Sequence, residues 1–198
     1  RLQGDSNTFD TTPTLSGIAE PFARIHIYID AVEVQQVNAD AAGNWSWTVP
    51  TPLADATYVV GATQTDKAGN VSSTKTFSLV IDTDAPLATP VVSGLTEPTN
   101  SGEEQTDLLT KYVTPTFTGT ATPNALVNVY IGGVLANTVI ADGSGNWSLP
   151  VSAALAEGPV TVTARITDVA GNEGPLSGAK VFTIDTTAPS DCSASRQA

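Results

Sequence analysis

The stretch 13–30, "PTLSGIAEPFARIHIYID", returns at 115–132 as "PTFTGTATPNALVNVYIG", an offset of 102 residues. Within it Ile25, Ile27 and Ile29 alternate with His26 and Tyr28, as Val127, Val129 and Ile131 alternate in the copy. A period of two sends successive side chains to opposite faces of an extended chain, so each stretch predicts a half-buried strand. "ADAAGNWSWTV" (39–49) and "ADGSGNWSLPV" (141–151) keep the offset of 102, as do "TDKAGN" (65–70) and "TDVAGN" (167–172). The hexapeptides "IDTDAP" (81–86) and "IDTTAP" (184–189) lie 103 apart. A register held this far means two copies of a unit of about 100 residues, not a short-period solenoid.

Each unit is punctuated by turn signals: "AEPF", "DAAGN" and "DKAGN" in the first, "ATPN", "DGSGN" and "DVAGN" in the second. Between them the second unit predicts seven short antiparallel strands, near 89–93, 115–121, 125–131, 134–140, 146–151, 159–167 and 179–185. That pattern predicts an all-β fold of two tandem immunoglobulin-like β-sandwiches joined by a short linker. The expected division is residues 1–84, 85–189 and a tail at 190–198. The first unit shows six strands clearly; its opening strand lies around 1–4 or has been cut away. The acidic stretch 94–112 reads as a long loop between the first two strands of the second unit.

Composition narrows the function. The chain of 198 residues has 20 Asp+Glu against 8 Lys+Arg, a formal charge of −12. Nucleic-acid phosphates require a basic footprint, so this charge argues against that partner. With Cys192 the single cysteine, neither an intrachain disulfide nor a cysteine zinc cluster can form. No apolar run approaches the ~20 residues of a membrane span, and no signal peptide is visible. Methionine is absent, so the chain reads as a segment of something longer.

The repeated hexapeptide ends a strand on carboxylates and a proline. If seven strands alternate up and down, the turns after the second, fourth and sixth lie at the pole where the chain arrives. The linker carrying Asp82 and Asp84 then reaches the second unit beside Asp142, Asp168 and Asn172. It leaves the first unit near Asp5 and Asp10. The matching turns of the first unit hold Glu20, Asp40, Asp66 and Asn70, and Asp185 follows the last strand of the second. In an extended segment i and i+2 point the same way, so Asp82 and Asp84 can serve one ion. Ca²⁺ takes 6–8 oxygen ligands, and a cation is the simplest thing to hold gathered carboxylates together. Each Asp taken singly also makes an Asx turn, with Gly supplying positive φ; it is convergence of the set that points to calcium.

Taken together, "PTFTGTATPNALVNVYIGG", "ADGSGNWSLPV", "LAEGPVTVTARITDVAGN" and "FTIDTTAP" resemble the bacterial immunoglobulin-like repeats of giant surface adhesins. These are the adhesins of the repeats-in-toxin and biofilm-associated type, and the resemblance covers almost the whole chain. It implies an extracellular extender at the bacterial cell surface, in which serial domains project a distal ligand-binding domain and Ca²⁺ at the linkers stiffens the rod. Its partners would be neighbouring repeats of the same chain, in a monomer. It places calcium on Asp82, Asp84, Asp168 and Asn172, on Asp66 and Asn70 facing a predecessor, and on Asp185 facing a successor. Two departures stand out: Glu20 faces Thr122 in the copy, and Asp84 becomes Thr187.

Two rival classes compete with this reading. An enzyme needs a convergent catalytic set, and His26, the single histidine, has no Ser or Cys partner and is Asn128 in the copy. A carbohydrate- or protein-binding β-sandwich is the alternative, and such modules present exposed aromatic platforms. Trp45 and Trp47 share a strand face with Val49, and Trp147 with Val151, which reads as core; Tyr28 and Tyr130 lie on the opposite face of their strands.

Overall fold

The computed structural model describes residues 6–102, 104 and 107–190. The tail from 191 with Cys192, the opening strand expected at 1–4, and Asp5 lie outside the described residues. The chain is all-β and divides into two compact units, Arg1–Ala85 with Val169–Asn172, and Pro86–Asp168 with Glu173–Ala198. No helix among the described residues is long and apolar enough to cross a membrane.

The second unit contains β8 (Val91–Leu95), β9 (Leu109–Thr110), β10 (Thr116–Thr120), β11 (Leu126–Ile131), β12 (Val134–Ile140), β13 (Asn146–Pro150), β14 (Gly158–Thr167) and β15 (Lys180–Ile184). One sheet runs β13-β10-β8 and the other β12-β11-β14-β15-β9. Alternation decides which side chains the sheets enclose. Val127 and Val129 of β11, Val162 and Ala164 of β14 and Phe182 of β15 meet Val92, Phe117, Trp147 and Leu149 in one core. The rings of Phe117 and Phe182 pack tilted at 4.8 Å between centroids, the offset geometry that aromatic quadrupoles favour.

The first unit repeats this plan with β1 (Asn7–Thr8), β2 (Thr14–Ile18), β3 (Arg24–Ile29), β4 (Val32–Asn38), β5 (Asn44–Thr48), β6 (Ala56–Thr65) and β7 (Lys75–Ile81). Its larger sheet is β1-β7-β6-β3-β4 and its smaller one, among the described residues, is β2-β5. The registers repeat too: Leu15 faces Trp47 and Gly17 faces Trp45, as Phe117 faces Leu149 and Gly119 faces Trp147. Ile25 and Ile27 of β3 are buried with Val60, Leu79 and Ile81. The tryptophans are core residues as expected, but to different degrees. Trp147 is buried, whereas Trp45 and Trp47 are half-buried against their core.

Two expectations need correction. The pairing is not wholly antiparallel: β9 runs parallel to β15, and β1 parallel to β7. The segment 94–112 is therefore not all loop. A two-residue strand is too short for alternation to register, and only its ladder reveals it. The first described strand of the first unit, β1, corresponds to β9 and not to β8.

Candidate metal centre

The β6–β7 ladder sets Ala56 opposite Ile81, and so brings the residue before β6, Asp55, to the residues after β7. There one carboxylate oxygen from each of Asp55, Asp82 and Asp84 lies within 4.8 Å of the other two. Local hydrogen bonds hold the group in shape. Thr83 donates its main-chain N–H (3.0 Å) and its hydroxyl (2.9 Å) to Asp55 Oδ2, and the N–H of Asp84 donates to Asp82 Oδ1 at 3.0 Å. The Asp82 main chain is fixed as well. Its N–H donates to the Thr8 carbonyl (3.1 Å), and its carbonyl accepts from the Asn172 side-chain amide (2.8 Å). Three carboxylates so close repel one another.

The donor set fits a hard divalent cation. An ionised carboxylate offers about four lone-pair sites, and the hydrogen bonds from Thr83 and Asp84 occupy only some of them. Ca²⁺ selects oxygen ligands of this kind and accepts water for the remainder of its shell.

The second unit answers the same position differently. Gly158 pairs with Ile184, which brings Glu157 to the residues after β15. Here Thr186 and Thr187 donate hydroxyls to the two Glu157 oxygens, the latter at 2.7 Å, and Thr187 N–H donates to Asp185 Oδ1 at 3.0 Å. The hydroxyls of Thr186 and then Thr187 hold the Glu157 carboxyl below the ordinary glutamate range. Hydroxyls close this cluster, where a third carboxylate stands in the first.

The turn carboxylates have local partners. Asp40 Oδ1 accepts from the N–H groups of Ala42 and Asn44, both at 2.8 Å, and Asp142 Oδ1 accepts likewise from Ser144 and Asn146. Asp66 accepts the N–H groups of Ala68 and Asn70 and the Asn70 side-chain amide, all at 2.8 Å. These are Asx turns, the reading each residue received when taken singly. The bonds hold all three carboxyls below the ordinary aspartate range, chiefly through the N–H of Asn44, the side chain of Asn70 and the N–H of Asn146. Asp10 accepts from the Thr12 N–H at 2.9 Å in the same manner. Glu20 is exposed, and its N–H donates to Gln64 Oε1 at 2.8 Å. Asp168 follows β14 directly.

Sequence reading missed Asp55, though a signal was present. At the offset of 102 its counterpart is Glu157, so both copies carry an acid before the same strand.

His26 lies outside this cluster. Its ring nitrogens lie 3.2 Å from Glu33 Oε1 and 3.2 Å from Thr65 Oγ1. In the copy Asn128 donates to Thr167 Oγ1 at 2.8 Å and accepts from Thr138 at 2.6 Å. The two side chains bridge the same pair of neighbouring strands across the sheet.

Residues 1–83 and 86–186 each match the model of a family described as bacterial Ig-like domain. No curated protein sequence matches the chain. Among solved structures, fibronectin(III)-like modules of Clostridium thermocellum CbhA are similar at a TM-score of 0.54 and 11% identity, over 92% of each chain. A tetra-tandem repeat from the extending region of a large adhesion protein aligns at 22% identity and a TM-score of 0.35, over 93% of this chain and 48% of that one. A structure of a 1.5-MDa bacterial ice-binding adhesin aligns at 22% identity and a TM-score of 0.38, covering 90% and 59%.

Proposed function

The chain belongs to the bacterial Ig-like domain family, and from that premise we propose that it is spacer material of a large bacterial surface adhesin, stiffened by Ca²⁺ where one domain gives way to the next. The observation that carries this reading is the Asp55–Asp82–Asp84 cluster, set where the first unit ends. Asp82 and Asp84 belong to the segment that leads from β7 toward β8, so an ion held there acts on the linker itself. Asp55, Asp82 and Asp84 would hold the ion, with water completing its shell. The bound ion supplies positive charge that relieves their repulsion and ties the linker to the turn before β6.

The mechanism is mechanical rather than chemical. Each domain resists deformation through its own core and ladders, while a linker between domains is mobile by default. An ion that binds only the ordered linker stabilises that state by mass action, by ~2.7 kcal/mol at 100 times its dissociation constant. Extracellular sites work in the ~10⁻⁴–10⁻³ M range, so such a spacer would stiffen after leaving the cell. The role is extracellular and non-catalytic, with neighbouring repeats of the same chain as partners.

The test is small-angle scattering and calorimetry of the chain in calcium and in chelator. The reading expects a longer, narrower distance distribution and a higher melting temperature with calcium. Identical profiles in the two buffers would overturn it.

A binding-module reading has one feature in its favour, a groove of about 610 Å³ on the β3–β4–β6 face where Tyr28 lies beside Arg24, His26 and Glu33. Glycan-array binding abolished by Tyr28→Ala would support it over the spacer.

A further inference from the structure

The outward face of the larger sheet carries different chemistry in the two units. Pairing sets His26 of β3 between Gln36 of β4 and Thr63 of β6, and Arg24 between Asn38 and Thr65. Arg24, His26 and Tyr28 alternate with the buried Ile25 and Ile27, so they face away from the core. With the turn after β6 they line the groove of about 610 Å³, a size usual for small-ligand sites. In the copy, Asn124, Leu126, Arg165 and Val169 stand where the first unit has Phe22, Arg24, Thr63 and Lys67. Arg165 pairs there with Glu173, the counterpart of Val71. The same strands form with either set, so the fold itself does not demand the residues of the groove.

The cations of this groove lack acidic partners. Among the described residues the ion pairs are His26–Glu33 and Arg165–Glu173, and neither includes Arg24 or Lys67. Lys67 Nζ lies 5.4 Å from the centroid of the Phe22 ring. Both cations and the 57% exposed Phe22 therefore share the end of the groove where β3 begins and β6 stops. The carboxylates of the groove are engaged locally. Glu33 accepts from Gln36 Nε2 at 2.6 Å and contacts His26, and Asp66 is closed in its Asx turn. Thr63, 8% exposed, lines the groove, and its hydroxyl has no hydrogen-bond partner among the described residues. A buried hydroxyl left unpaired costs stability until a partner is supplied.

We infer that this groove binds an acidic saccharide, a uronic-acid unit of a polysaccharide. Arg24 takes the carboxylate through its planar fork, and Lys67 adds a second positive charge. Phe22 and Tyr28 offer ring surface to the C–H face of a pyranose. Thr63, Thr65 and Asn38 present the hydroxyl and amide groups that sugar hydroxyls bond. Aromatic surface beside neutral polar groups favours a sugar over an acidic peptide. On a chain of formal charge −12 a polyanion meets no general attraction, so its affinity comes from this local site. The inference rests on the binding-module reading of the groove and not on the calcium cluster. β6 starts beside Asp55 and ends at the groove, so the two sites lie at opposite ends of a strand of 10 residues.

The test titrates the full chain with tetrasaccharides of galacturonate, glucuronate and mannuronate and with their neutral methyl esters, following amide signals by NMR. Chelator is present throughout, so that no calcium bridges acid to acid. At least one acid should bind once per chain, shift signals of β3, β4 and β6, and bind at least about tenfold more tightly than its ester. Arg24→Leu, an exposed position where the copy has leucine, should bring the acid down to the level of the ester. Thr63→Arg, again the residue of the copy, should fill the groove and abolish binding; the Arg24 variant decides the matter even if this one folds poorly. Absence of shifts with every tetrasaccharide overturns both the inference and the binding-module reading. Equal binding of acid and ester overturns the inference and leaves a module for neutral glycans. Tetraglutamate binding as tightly as any uronate overturns the choice of sugar. None of these outcomes bears on the spacer reading, whose calcium-dependent scattering is measured without saccharide.

Discussion

The Thr187 hydroxyl donates to Glu157 at 2.7 Å in the second unit, at the position where the first sets an Asp84 carboxylate oxygen within 4.8 Å of one from Asp55. Two side chains distinguish the corners, Thr187 in place of Asp84 and Glu157 in place of Asp55, and the first exchange removes a charge. Asp84→Thr should therefore turn the cluster of three anions into one of two with a hydroxyl beside them. Scanning calorimetry is expected to show the calcium-dependent rise in melting temperature disappear, while the value in chelator holds or rises as repulsion is relieved. Wild-type chain at 100 times the dissociation constant should gain ~2.7 kcal/mol.

Acid should unfold the domains from a defined starting point. Asp40, Asp66 and Asp142 are held below their ordinary value of 3.8, and Glu33 and Glu157 below 4.5. For Glu33 the main cause is the Gln36 side-chain amide, with His26 second. A carboxyl with a lowered folded-state pKa contributes its stability above the unfolded value and loses it as pH falls through the folded one. The urea midpoint should hold steady from neutrality to about pH 5 and then fall as pH drops below about 4. Asp142→Asn should flatten that fall.

Gly119→Ala tests the pinch between β8 and Trp147. The added methyl meets the main-chain carbonyl of Val91, which cannot rotate away, and overpacking of this kind costs ~1–3 kcal/mol. Gly17→Ala should cost less, since among the described residues its methyl meets the Trp45 ring, a side chain that can shift. Urea denaturation of the two variants gives the comparison directly.

Phe182→Ala removes a fully buried ring that packs on Phe117. The expected loss is ~3–5 kcal/mol from the stability of the second domain, the range for large-to-small aromatic changes in a core.

His26→Asn should be close to neutral, within ~0.5 kcal/mol, because Asn128 already makes the equivalent bridges between strands. A large effect on stability would mean that the His26–Glu33 contact carries more than the copy suggests.

Much of this was legible in the sequence because the unit occurs twice. Alternation in "IHIYI" and "VNVYI" located β3 and β11, and the Asp-to-Asn turns located the ends of β5 and β13. What escaped was whatever depends on a ladder. β1 and β9 are two residues each, below the length at which a period shows, and their parallel sense appears only in the pairing. Asp55 stands far from Asp82 along the chain and reaches it because Ala56 faces Ile81 across two strands. The opening strand expected around 1–4 lies outside the described residues, among which β2 pairs with β5 only, and Trp45 and Trp47, which alternation assigns to the core, are half-buried.

The parallel pairing of β1 with β7 governs how a pull on the chain is felt. Two parallel strands tugged from opposite ends slide along each other, so their cross-links share the load at once instead of parting one by one. In the first unit those links are Val80 N–H to the Ser6 carbonyl at 2.7 Å and Asp82 N–H to the Thr8 carbonyl at 3.1 Å. Asp82 thus contributes its main chain to the clamp and its carboxylate to the anionic cluster. A cation gripping that side chain would brace the very rung on which tension bears, so that the force the ladder withstands would follow the ionic conditions around it.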